Sequence, residues 1–92
     1  MKAHEIEEIK LLTRSFKLKE AEEKLLSLKR EHPQEDEIYY LLGNIHRKQN
    51  HWQEALQYYA HAIEIKPESP ALQAREMIIQ IMSFYDKERY NV

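Results

Sequence analysis

No cysteine occurs in the chain, and only one glycine and three prolines interrupt its 92 residues. Without cysteine there is neither a disulfide framework nor a thiolate metal site, which fits a cytoplasmic location. A single glycine leaves no glycine-rich loop to cradle a phosphate. No apolar run approaches the roughly 20 residues that span a bilayer, so no membrane contact is expected. The opening stretch MKAHEIEEIK lacks the apolar centre of a signal peptide. Neither charge sign is in surplus: 14 Lys and Arg stand against 16 Asp and Glu, interleaved along the chain. A general nucleic-acid binder needs a basic excess to displace counterions from phosphates, so nucleic acid is not an expected partner.

What remains is organised by helical periodicity. Ile6, Ile9, Leu12 and Phe16 predict a first helix over about Ala3–Arg14, and Leu18, Ala21, Leu25 and Leu28 a second over Leu18–Glu31. His32-Pro33 closes the second, because the residue before a proline is pushed out of the helical region. A third helix runs from Asp36 to about Gln49, where Asn50 supplies a residue able to take a left-handed cap. The fourth, from Trp52 to Ile65, stops before Pro67. Ser69-Pro70 then starts a fifth that continues to about Arg89, with serine as N-cap and proline at the first helical position. Short links between the five force antiparallel neighbours.

Sliding the sequence by 34 residues sets Ala21 on Ala55, Pro33 on Pro67, Glu20 on Glu54, Leu18 on Trp52 and Leu25 on Tyr59. The chain therefore reads as a tandem helix-pair repeat followed by a single helix. Residues 36–69 carry Tyr39-x2-Leu42-Gly43-x2-His46, then Ala55-x3-Tyr59, Ala62 and Pro67. This run resembles the tetratricopeptide repeat, whose pattern is W-x2-L-G-x2-Y, A-x3-F and P. Residues 2–35 are a degenerate copy that keeps Ala21 and Pro33 but has Ile9 in the place of Gly43 and Leu28 in that of Ala62. The resemblance implies an all-α, right-handed superhelical array of antiparallel helix pairs in one domain, residues 1–92, with residues 70–90 as a capping helix. It explains the glycine, which costs about 1 kcal/mol in a helix relative to alanine. Gly43 is expected to let two helices approach, with Ala55 opposite.

In the fifth helix the 34-residue register would make Gln73, Glu76 and Gln80 core positions. One residue forward, Ala74, Met77, Ile78, Ile81 and Tyr85 form an apolar stripe, which is the expected core face. Leu72, Ile79, Met82 and Phe84 then lie off it, more apolar residues than a cap requires.

Candidate chemistry is sparse. None of His4, His32, His46, His51 and His61 forms a helical i, i+4 metal pair, and no HExxH or calcium loop is present. His46 reads as a packed residue and the other four as surface; no metal or cofactor is expected. The acids Glu7-Glu8, Glu22-Glu23 and Asp36-Glu37 are sequence neighbours, so on a helix they point about 100° apart and cannot act as acid–base pairs. No catalytic residue is assigned, and the chain is not expected to be an enzyme. Tyr39-Tyr40 and Tyr58-Tyr59 suggest a base-stacking platform, but the repeat frame places Tyr39 and Tyr59 in the core.

The resemblance implies instead a concave groove, lined by the first helix of each pair, that holds an extended peptide or a partner helix. Its expected lining is Tyr40, Asn44 and Arg47, their counterparts Ile6, Lys10 and Thr13, and Arg75, Ile79 and Met82 on the last helix, flanked by Arg14 and Lys48. Some family members clamp a C-terminal carboxylate with Lys, Asn and Arg side chains, and Asn44 with Lys10, Arg47 and Arg75 loosely resembles that set. The expected function is a protein-binding scaffold or adaptor taking an acidic or C-terminal segment. The alternative is a homodimer formed through Leu72, Ile79, Met82 and Phe84.

Overall fold

A computed structural model of the chain describes residues 2–90, with side chains through residue 84. Tyr85, expected in the core stripe, lies outside the described side chains. The described residues form α1 (Ala3–Arg14), α2 (Leu18–Glu31), α3 (Asp36–Lys48), α4 (Trp52–Ile65) and α5 (Ala71–Tyr90), with no strand among them.

The punctuation residues act as their chemistry dictates. At the start of α5 the Ala71 N–H donates to Ser69 Oγ at 3.1 Å, satisfying one of the free amides of the first turn. After α3, Asn50 adopts φ 63°. The His51 N–H then donates to the His46 carbonyl at 2.8 Å and the Asn50 N–H to that of Arg47 at 3.0 Å, the bond pair of a Schellman motif. The same turn follows α1, 34 residues earlier. There Phe16 has φ 60°, and Lys17 and Phe16 donate to Leu12 and Thr13 at 2.9 and 3.1 Å. Phe16, expected on the apolar stripe of α1, instead sits outside the helix and is 67% exposed.

Helices pack mainly on their chain neighbours: α1 on α2, α2 on α3, α3 on α4 and α4 on α5. The result is a slab of 49 × 28 × 17 Å with a radius of gyration of 14.1 Å, against about 12 Å for a spherical domain of this length. Two buried clusters fill it. Ile9, Ala21, Leu25 and Leu28 meet Ile38, Leu41, Leu42 and Ile45 in the first. Tyr39, Ala55, Tyr59 and Ala62 meet Ala71, Ala74 and Ile78 in the second. α3 serves both, and Tyr40 and Tyr58 pack against each.

Gly43 is buried in this arrangement. A Cβ there would lie 2.6 Å from Tyr59 Cδ1 and closer still to Cε1. The nearest atoms to that position thus belong to the Tyr59 ring, which lies close against the α3 backbone, rather than to Ala55. Burying a large side chain contributes about 1.5–3 kcal/mol, more than the helix propensity lost at one glycine. Pro33, beside the second link, accepts the Tyr39 hydroxyl on its carbonyl at 2.7 Å.

α5 keeps part of its expected core face, Ala74 and Ile78, and departs from the rest. Ala71, Ala74 and Ile78 are buried, and Met82 packs against the same cluster. Met77 and Ile81, expected in the core, are 53% and 37% exposed. The spacing of three, four and four residues from Ala71 to Met82 gives one helical face toward α4.

Candidate functional site

Residues three and four apart share a helix face. Lys10, Thr13 and Arg14 on α1 therefore point together, as do Tyr40, Asn44, Arg47 and Lys48 on α3. With Leu41 these side chains line a cavity of ≈ 230 Å³ between the two helices. Four of its eight residues are cations and none is an acid, although the whole chain carries a net charge of −2.

Internal bonds decide which polar atoms remain for a ligand. The Tyr59 hydroxyl donates to Asn44 Oδ1 at 2.5 Å, which leaves the Asn44 amide N–H groups as donors. Burial pushes the Tyr59 hydroxyl up to about 12, against a smaller opposing pull from Arg47, so it keeps its proton at neutral pH. The Thr13 hydroxyl donates to the Ile9 carbonyl at 2.8 Å, and only its oxygen lone pairs stay available. Lys48 Nζ lies 5.0 Å from the centroid of the Phe16 ring at the turn after α1. The site offers cationic and amide donors beside the apolar surface of Tyr40 and Leu41. It is suited to an anion attached to an apolar group.

Of the nine groove residues expected from the sequence, Lys10, Thr13, Tyr40, Asn44 and Arg47 come together in this cavity. Ile6 turns inward onto the first buried cluster. Arg75 is partly buried, Ile79 is 47% exposed and Met82 packs on the second cluster; none of the three lines this cavity. Leu41 was not among the expected residues; it lines the cavity and is also buried in the first cluster. A second, apolar hollow of ≈ 570 Å³ is lined by Trp52 of α4 and by Met77, Gln80, Ile81 and Phe84 of α5.

A tetratricopeptide repeat profile matches residues 36–69. A Bacteroides fragilis protein solved by solution NMR is similar over most of the chain. It is 44% identical, with 92% of this chain and 87% of that one covered and a TM-score of 0.83. No curated protein matches. Among the described residues no helix is long and apolar enough to cross a membrane.

Proposed function

The chain belongs to the tetratricopeptide repeat family, and we propose that it is a cytoplasmic, non-catalytic adaptor whose α1–α3 cavity takes a carboxylate-bearing peptide segment. Repeats of this family generally mediate protein–protein interaction. In this reading residues 2–35 and 36–69 are the two repeats, and residues 70–90 close the array. The observation that carries the proposal is the lining of the cavity by Lys10, Arg14, Arg47 and Lys48 with no acid among them. A carboxylate there meets donors preset by the Tyr59–Asn44 bond, while the neighbouring peptide side chain covers Tyr40 and Leu41. Charge-assisted bonds contribute about 1.5–3 kcal/mol each when water is excluded.

The test is fluorescence anisotropy with labelled acidic peptides, free and amidated at the C-terminus. Lys10→Glu combined with Arg47→Glu should weaken binding by about tenfold or more, one charge-assisted bond being about that large. Arg75→Glu, outside the cavity, should leave it unchanged. Equal affinity in the double reversal would end the carboxylate reading. Loss on amidation would assign the C-terminus itself.

A second reading is supported by the hollow beside Trp52: α5 as the interface between two copies of the chain. Of the four interface residues expected from the sequence, only Phe84 lines this hollow and Met82 packs on the second cluster; Met77 and Ile81, not expected there, are apolar and exposed in it. Light-scattering mass should then rise with concentration in the wild type and stay monomeric in Met77→Glu/Ile81→Glu. A monomer at all concentrations would remove this reading.

A further inference from the structure

Beyond the cavity, a second cluster lies at the α3–α4 turn. His46 Nε2 is 3.1 Å from Glu22 Oε2 of α2. A carboxylate only accepts, so the nitrogen facing it carries the proton, and in neutral imidazole the other nitrogen is then a bare lone pair. That other nitrogen, His46 Nδ1, is buried and has no hydrogen-bond partner among the described residues. An unpaired buried acceptor is a cost that a native structure ordinarily avoids.

Two further donors stand close to the His46 imidazole. The left-handed Asn50 brings the chain back, and the Schellman bond from the His51 N–H holds His51 beside His46. This motif usually sets two apolar side chains against each other; here the pair is two imidazoles, with ring centroids 5.7 Å apart. Glu54 follows one helical turn later, its Oε2 3.9 Å from His51 Nδ1. One ligand atom from each of His46, His51 and Glu54 falls within 4.8 Å of the others.

We propose that His46, His51 and Glu54 form a binding site for a divalent transition-metal ion, zinc in the first place, with Glu22 as the positioning residue for His46. Two imidazoles and a carboxylate suit zinc, nickel or copper rather than calcium or magnesium, which take oxygen ligands. Bonds of about 2.0–2.1 Å in a tetrahedron put ligand atoms about 3.3 Å apart, so a cluster whose ligand atoms lie within 4.8 Å of one another must contract by up to about 1.5 Å. His51 and Glu54 are both about half exposed, at 51% and 53%, and free to rotate inward. His46 is held by Glu22 on its ring edge and stacks on Tyr58 at 5.3 Å, so it serves as the fixed point. A histidine ligand whose second nitrogen donates to a carboxylate is the usual arrangement at protein metal sites. Three protein ligands leave the fourth position to water. Bound metal would link the two helices of the second pair directly and the first pair through Glu22.

Zinc chloride titrated into the full chain by calorimetry tests this, with heteronuclear NMR of the imidazole nitrogens. One ion per chain should bind, with the largest shift at His46 Nδ1, and magnesium should not compete. His51→Ala and Glu54→Gln should each weaken binding at least tenfold, and Glu22→Gln by about 10–100-fold, the usual effect of losing such a partner. A His4→Ala/His32→Ala double variant should bind as the wild type does. The thermal midpoint should rise with zinc in the wild type and not in His51→Ala. Absence of saturable binding, or affinity unchanged in His51→Ala, would overturn the proposal.

Discussion

At the level of single residues, close approach and backbone strain decide more than hydrophobicity. Gly43→Ala would regain about 1 kcal/mol of helix propensity. Its Cβ would run into the Tyr59 ring, which is fully buried and tethered through its hydroxyl to Asn44. The ring cannot slide away cheaply, and overpacking of this kind costs about 1–3 kcal/mol. A net loss is expected, read as a lower midpoint in denaturant with an unchanged slope. Phe16 is the opposite case. A bulky residue in the left-handed region costs about 1–2 kcal/mol, and its ring is largely exposed. Phe16→Asn should stabilise the chain by up to about 1 kcal/mol after loss of the Lys48 contact, worth roughly 0.5 kcal/mol at the surface. In thermal melts that is a rise of at most about 4–8 °C.

At the level of elements, the helix limits were legible because proline, serine and asparagine act locally. The Ser69 cap is an example, and Ser69→Ala should lower stability by about 1 kcal/mol in urea unfolding. The face that α5 turns inward was legible only in part, at Ala74 and Ile78. Apolar residues surround that helix, so the pattern gives no contrast between Met77, which is exposed, and Met82, which packs. What selects the face is the fit of small residues, Ala71 and Ala74, against α4. The same limit explains the site. Lys10, Thr13, Asn44 and Arg47 were expected side by side because the family resemblance implies a groove along the first helix of each pair and the 34-residue register sets α1 on α3; all four line one cavity. His46 and His51 were not paired, because five residues along a helix do not share a face and only the left-handed turn brings them together. Phe16 was misread for a related reason, since a stripe extrapolated past Arg14 ignores the turn that follows.

At the level of the whole molecule, α3 stands between two buried clusters and belongs to both. Damage to either should therefore be felt in the other. Ile9→Ala, in the first cluster, should cost about 2–5 kcal/mol, a large part of the roughly 5–15 kcal/mol that such a domain has. Trp52, the only tryptophan, packs on the second cluster. Its fluorescence transition should shift together with the helical circular dichroism. A tryptophan transition left in place by Ile9→Ala would show the two pairs unfolding separately.

The order in which the helices pack also bears on how quickly the chain finds its structure. Each helix meets chiefly the one before and the one after it, so no distant segments have to be brought together before contacts begin to reward the loss of chain freedom. Proteins built from such local contacts fold in microseconds to milliseconds, far faster than β-rich domains of equal stability. Newly made chain can thus consolidate pair by pair as it emerges, with little time spent displaying the apolar faces that would otherwise find a wrong partner.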